Sequence, residues 1–109
     1  MNIEGVPFGV TDWSSVPETT HPGVSGFALW RTVQAGNVRV RLVTYSPGYL
    51  ADHWCPRGHI LFVLSGVLVT EVQGGLSYTF TSGMSYQVSD DVAPHRSSTE
   101  TGARLFIVD

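Results

Sequence analysis

Beyond residue 26 the chain alternates apolar and polar positions with a period of two. No stretch shows helical apolar spacing over three turns. The segment 38–45 shows the alternation best: Val38, Val40 and Leu42 share one face, and Arg39 and Arg41 share the other. Strands are predicted at 27–33, 38–45, 50–55, 59–64, 67–72, 76–80, 84–88, 95–98 and 103–108. Between them lie turn signals: Ala35-Gly36-Asn37, Ser46-Pro47-Gly48, Gly74-Gly75, Ser82-Gly83 and Thr101-Gly102. Gly66 is expected to separate the strands at 59–64 and 67–72. Many short strands with regular turns predict an all-β sandwich or barrel.

Residues 1–25 break the pattern. They carry Pro7, Pro17 and Pro22 and read as an irregular N-terminal arm, with a short turn capped by Asp12. Phe8 and Trp13 are expected to pin this arm onto the body. His21, in Thr20-His21-Pro22-Gly23, reads as a surface turn residue. Residues 26–109 form the predicted barrel domain.

The candidate chemistry sits at 48–66. His53, Cys55 and His59 lie close together there, just before a wholly apolar strand. Imidazole and thiolate are the donors that soft and borderline divalent metals prefer. On a strand, His53 and Cys55 share a face, and Pro56-Arg57-Gly58 turns the chain so that His59 comes back beside them. His95, in the turn-rich 90–95 segment, is the fourth candidate donor. Asp52 and Trp54 take the opposite parity and are expected to face outward. Tyr45, Tyr86 and Arg96 adjoin these segments and are candidates for substrate binding. A Cys–His nucleophile pair lacks an identifiable orienting group, and Gly74-Gly75 precedes a strand rather than a phosphate-binding helix.

Composition narrows the function classes. The chain has 109 residues, enough for one domain with one core. Its positive charge is six arginines and no lysine, spread along the sequence, with a net charge of −3. No basic patch points to nucleic acid. No apolar run approaches the length of a membrane span, and the N-terminus lacks the layout of a secretory signal. A single cysteine forms no internal disulfide, so the cytoplasm is the expected compartment. Only 14% of residues are charged, against about a quarter in ordinary domains. That poverty of charge predicts a homodimer that covers apolar strands.

These motifs resemble those of the cupins, the double-stranded β-helix proteins. Gly48, His53, Cys55, His59 and Gly66 fall on the first cupin motif, with a spacer one residue short before His53. Gly83 and His95 fall on the ends of the second, with one extra residue between them, and Ser89 and Asp91 stand where Pro and Gly are usual. By motif the resemblance covers 48–66 and 83–98, and by strand pattern 26–109. More narrowly, the chain is similar to the small single-domain cupins named for an Asp-His-Cys-Trp motif, here ordered Asp52-His53-Trp54-Cys55. The resemblance implies a jelly-roll barrel of six to eleven strands. It also implies one divalent transition metal (Zn, Fe, Ni or Cu) held by His53, Cys55, His59 and His95. Cys55 stands where the family has its second histidine, and His59 where it has its glutamate. A metal-dependent oxidation of dioxygenase type, or an isomerisation, of a small molecule is the implied activity. A non-catalytic module for a small ligand or metal and a metal-free dimer are the alternatives.

Overall fold

The computed structural model describes residues 2–109. Eight strands follow one another: β1 (Glu18–Pro22), β2 (Phe27–Ala35), β3 (Val38–Tyr45), β4 (His59–Val72), β5 (Leu76–Thr81), β6 (Ser85–Val88), β7 (His95–Ser98) and β8 (Ala103–Val108). All their pairings are antiparallel. The path runs β1-β2-β3-β8-β4-β5, with β6 and β7 also on β4.

The long strand β4 organises this topology. Its first half pairs with β8 and β6, and its second half with β5 and β7. It passes from one sheet to the other at a bulge between Val63 and Ser65, which bends the strand and raises its twist. Gly66 therefore lies within one continuous strand rather than between two. It has φ +80°, and a Cβ there would fall 2.2 Å from the carbonyl oxygen of Gly102. Only glycine fits that conformation at so close a backbone approach.

The two sheets close on a core made by alternate residues. Leu61 and Val63 from β4, Leu105 and Ile107 from β8, and Val43 and Tyr45 from β3 all point inward, and Leu68 joins them from the second half of β4. The inward parity of β3 is thus the one that carries Arg39 and Arg41, not the valine face. Arg41 is buried in consequence.

Three expectations are revised. The end of the arm is not irregular: β1 adds a strand to β2, in register from Glu18 with Arg31 to Pro22 with Phe27. His21 lies on that strand rather than in a turn, and its ring stacks on Trp30 at 3.8 Å. Residues 50–55 are not a strand. Only Leu50 and Cys55 form isolated bridges, and bends lie between them. Trp13 does pin the arm, by packing edge-on against Phe106 at 6.2 Å, and Asp12 caps its turn. Phe8 does not, being 98% exposed. Among the described residues no helix is long and apolar enough to cross a membrane.

Candidate functional site

His59 opens β4 in one sheet and His95 opens β7 in the other, so barrel closure brings two distant imidazoles face to face. Both are buried. Their rings lie 4.7 Å apart at 79°, and their Nε2 atoms are 3.0 Å apart. Cys55 joins them through the backbone. Its N–H donates to the His95 carbonyl at 2.7 Å, and the His95 N–H donates back at 3.1 Å. Such a reciprocal pair sets the two side chains opposite each other on one face. Tyr86, on β6, donates its hydroxyl to His59 Nε2 at 3.0 Å.

The outer nitrogen of His95 is committed. His95 Nδ1–H donates to the Ala93 carbonyl at 2.8 Å. A neutral His95 therefore presents a bare Nε2. His59 Nδ1 faces the Asp109 carboxylate at 3.7 Å, beyond hydrogen-bond range, and has no hydrogen-bond partner among the described residues. The two Nε2 atoms at 3.0 Å form a hydrogen bond when one ring carries the proton, and a cation between two bare Nε2 atoms would take the place of that proton. Outer partners that hold an imidazole in this way recur around metal-ligating histidines.

The titration directions agree with the contacts. The His95 imidazole lowers the Cys55 thiol, with a smaller opposing push from burial. The thiol in turn raises His95. Burial lowers His59, although Asp109 works against it. The directions favour a neutral His59 and make the Cys55 thiol easier to deprotonate than a free one.

His53 behaves differently. The period-two parity that would aim it inward fails, because residues 51–54 are not strand and Asp52 and His53 form a bend. Its Nδ1–H donates to Asp52 Oδ1 at 2.6 Å, and its side chain is largely exposed. It remains on the wall of the cavity that Cys55, His59 and His95 share, but at the rim. Among the described residues no three His, Cys, Asp or Glu side chains form a ready-made metal-binding group. The chemistry of the pair nonetheless suits a metal. Two ligand nitrogens each about 2.1 Å from an ion, at right-angled to tetrahedral openings, are about 3.0–3.4 Å apart.

The cavity has a volume of about 110 Å³. Tyr45 and Tyr86 line it, as the sequence suggested. Arg96 does not: it follows inward-facing His95 on β7, takes the opposite parity, pairs with Glu71 at 3.4 Å and lies over Trp54 at 4.9 Å. Tyr49, next to Gly48 of the first motif, lines the cavity as well, and Trp30, Arg39 and Arg41 are wall residues that sequence reasoning missed. A larger, open groove of about 730 Å³ runs between the arm and the 87–92 segment. Of the four candidate ligands it touches only His59, so the smaller cavity is where the chemistry converges.

No protein-family model matches the chain, and no curated protein matches it. Solved structures do. An RmlC-like cupin from Shewanella frigidimarina has a TM-score of 0.70 at 17% identity, covering 96% of this chain and 88% of that one. Ectoine synthase from P. lautus has a TM-score of 0.72 at 18% identity, covering 93% and 76%. A sugar phosphate isomerase of the cupin superfamily from Silicibacter pomeroyi has a TM-score of 0.70 at 17% identity, covering 92% and 74%. The fold is a cupin fold. Within this cupin barrel, His59, His95 and Cys55 stand where the two ends of the roll meet, with His53 above them.

Proposed function

We propose that this cupin binds one divalent transition metal in the cavity, through His59 and His95, with Cys55 and His53 as the further donors. The observation that carries the reading is the 3.0 Å approach of two buried Nε2 atoms, one of them on a ring whose Nδ1 is held by the Ala93 carbonyl. The donor set is imidazole and thiol without a carboxylate, which favours Zn or Cu over harder ions, with Fe and Ni next. His53 joins by turning away from Asp52, a small motion for an exposed ring.

The wall residues have defined roles around such an ion. The Ala93 carbonyl holds the His95 ring in its tautomer, and the Asp109 carboxylate stands 3.7 Å from His59 Nδ1. The Tyr86 hydroxyl, next to His59, can hand a proton to a ligand oxygen. Tyr45 and Tyr49 exclude water from the inner wall. A divalent ion here supplies Lewis acidity, or an open position for dioxygen. Ectoine synthase and a sugar phosphate isomerase share the fold, which supports small-molecule chemistry, and we propose an oxidation or an isomerisation. A binding module without turnover is the second reading, supported by the small size of the cavity.

Elemental analysis of untagged protein loaded with Zn, Fe, Ni or Cu tests the site. One equivalent should be retained by the parent and lost in His59→Ala and His95→Ala. Full occupancy in both variants, or no retention by the parent, refutes it. Cys55→Ser decides the thiol, since unchanged occupancy and ligand distances would remove it from the set. Oxygen uptake across small thiols, sugars and diketones separates enzyme from binder.

We also propose a homodimer. Ile60, Phe62 and Leu64 leave the outer face of β4 exposed, and the arm adds Phe8 and Val10. Together they offer roughly 500 Å² of apolar surface per copy, a large share of the about 800 Å² that a stable interface takes from each partner. Sedimentation should give a dimer for the parent and a monomer for Phe62→Glu. A monomeric parent at high concentration rules this out.

A further inference from the structure

We infer that Arg39 and Arg41 make one wall of the cavity into an anion site, which takes the carboxylate of a compact organic acid. The inference rests on the reading that this cavity is the working site, and it names the class of ligand.

The wall is electropositive throughout. It carries two arginines and three histidines, and no aspartate or glutamate, although the chain as a whole has nine acidic residues and a net charge of −3. Asp109 stands behind the arginines, not in the wall. Its Oδ1 accepts from Arg39 Nε at 2.9 Å, and its Oδ2 accepts from Arg39 Nη2 and Arg41 Nη2, both at 3.0 Å. Arg57 Nε stands 3.9 Å from the same Oδ2, so three guanidinium charges face a single carboxylate side chain, and positive charge is left over. The excess is not solvated away, because the Arg41 side chain is only 8% exposed and its Nε has no acceptor among the described residues. An uncompensated buried charge is costly, and an incoming anion relieves it.

The arginines are also held in place. Trp30 lies under both, 4.4 Å from Arg41 and 5.5 Å from Arg39. Cation–π contact fixes the guanidinium planes before any ligand arrives. A planar fork suits a planar carboxylate. The volume of about 110 Å³ equals about four waters of liquid volume, so the acid is short. Tyr45 and Tyr49, stacked at 4.3 Å, offer its carbon part an aromatic wall.

The test titrates the folded protein with glycolate, lactate and pyruvate, with neutral lactamide, and with inorganic phosphate. Heat and tryptophan fluorescence are followed on metal-loaded and chelator-treated samples. At least one acid should bind, at least tenfold more tightly than lactamide and more tightly than phosphate. Arg39→Gln should weaken it at least tenfold while metal content stays at the parent level, and Asp109 keeps Arg41 as a partner in that variant. Arg41→Lys, which keeps the charge and loses the fork, should weaken it too. No binding by any of the acids, equal affinity for lactate and lactamide, tighter phosphate, or undiminished binding in both arginine variants overturns the inference. Acid binding by a protein that retains no metal would leave this inference standing and refute the metal reading. A metal-loaded protein indifferent to every acid would do the reverse.

Discussion

Replacing Asp109 by alanine tests how much of the barrel depends on one carboxylate. Asp109 follows β8 directly opposite Arg39, with reciprocal backbone bonds of 2.6 and 2.9 Å. Its side chain is 1% exposed. Arg39 takes it with two nitrogens and Arg41 with one. Removing the carboxylate leaves the enclosed Arg41 guanidinium without its acceptor, and breaking a buried pair from one side costs about 3–5 kcal/mol. A domain of this size has about 5–15 kcal/mol in total, and each kcal/mol moves Tm by about 4 °C or more. The expected fall is therefore on the order of 15 °C. Thermal and urea unfolding, followed by circular dichroism on chelator-treated protein, measure it without any metal contribution. Glu18→Ala is the control, because it removes a partly exposed pair to Arg31 at 3.6 Å that is worth at most about 1 kcal/mol. The double variant Arg41→Met/Asp109→Leu should recover part of the loss, since no charge is then stranded. The sign with pH follows from the same contacts. Burial works to raise the Asp109 carboxyl, but the His59, Arg39 and Arg41 donors override it and hold it well below the usual range. A depressed carboxyl contributes stability above its unfolded value, about 3.9, and loses it as the pH falls below that. The gap between parent and Asp109→Ala should be constant at neutral pH and narrow below about pH 4. An Asp109→Ala loss no larger than that of Glu18→Ala, or a gap that is flat into acid, would refute the argument.

Two further outcomes follow. Gly66→Ala should lower stability by at least about 2 kcal/mol in urea unfolding, because it combines a left-handed backbone with a Cβ 2.2 Å from a carbonyl oxygen; a midpoint unchanged from the parent would show that the strand crossing can relax. Burial raises Tyr45, Tyr86 and Tyr49, the last to about 12 with help from Tyr45 and Asp52. A raised phenol stabilises the fold fully below its unfolded value of about 10 and loses that contribution as the pH climbs to the folded value. Ultraviolet titration should therefore find these three un-ionised at pH 10, with unfolding setting in between pH 10 and 12, and early ionisation of all the tyrosines would contradict it.

The strand pattern was legible because alternation, glycine turns and the apolar runs agreed with one another. Ala35-Gly36-Asn37 and Gly74-Gly75 do connect paired strands. The extra strand β1 was not legible, since Pro17 and Pro22 bracket a polar segment whose only claim to strand is an open edge of β2. Gly66 misled for a related reason: glycine signals a break, and only the sheet-to-sheet bend shows that here it sits within β4, just past the bulge at Val63–Ser65, where the strand changes sheets.

The site was half legible, and the two halves differ in kind. His59 and His95 were found by residue type, and the barrel brings them together whatever their local structure. The inward aim of His53 depended on strand parity at 50–55, and the 2.6 Å bond to Asp52, a purely local contact, wins over that parity. The arginine wall stayed hidden for the opposite reason. Period-two alternation says that Arg39, Arg41, Val43 and Tyr45 share a face, but not which face is inside. Hydrophobicity pointed to Val38, Val40 and Leu42. What decides the matter is the strand opposite, where Leu105 and Ile107 face the core and Asp109 continues their parity, so that a buried carboxylate stands ready for two buried guanidiniums. A charged residue following an apolar strand at the inward parity, opposite arginines of the same parity, is a sequence signal for a polar cavity wall. It becomes readable only once β3 and β8 are known to pair.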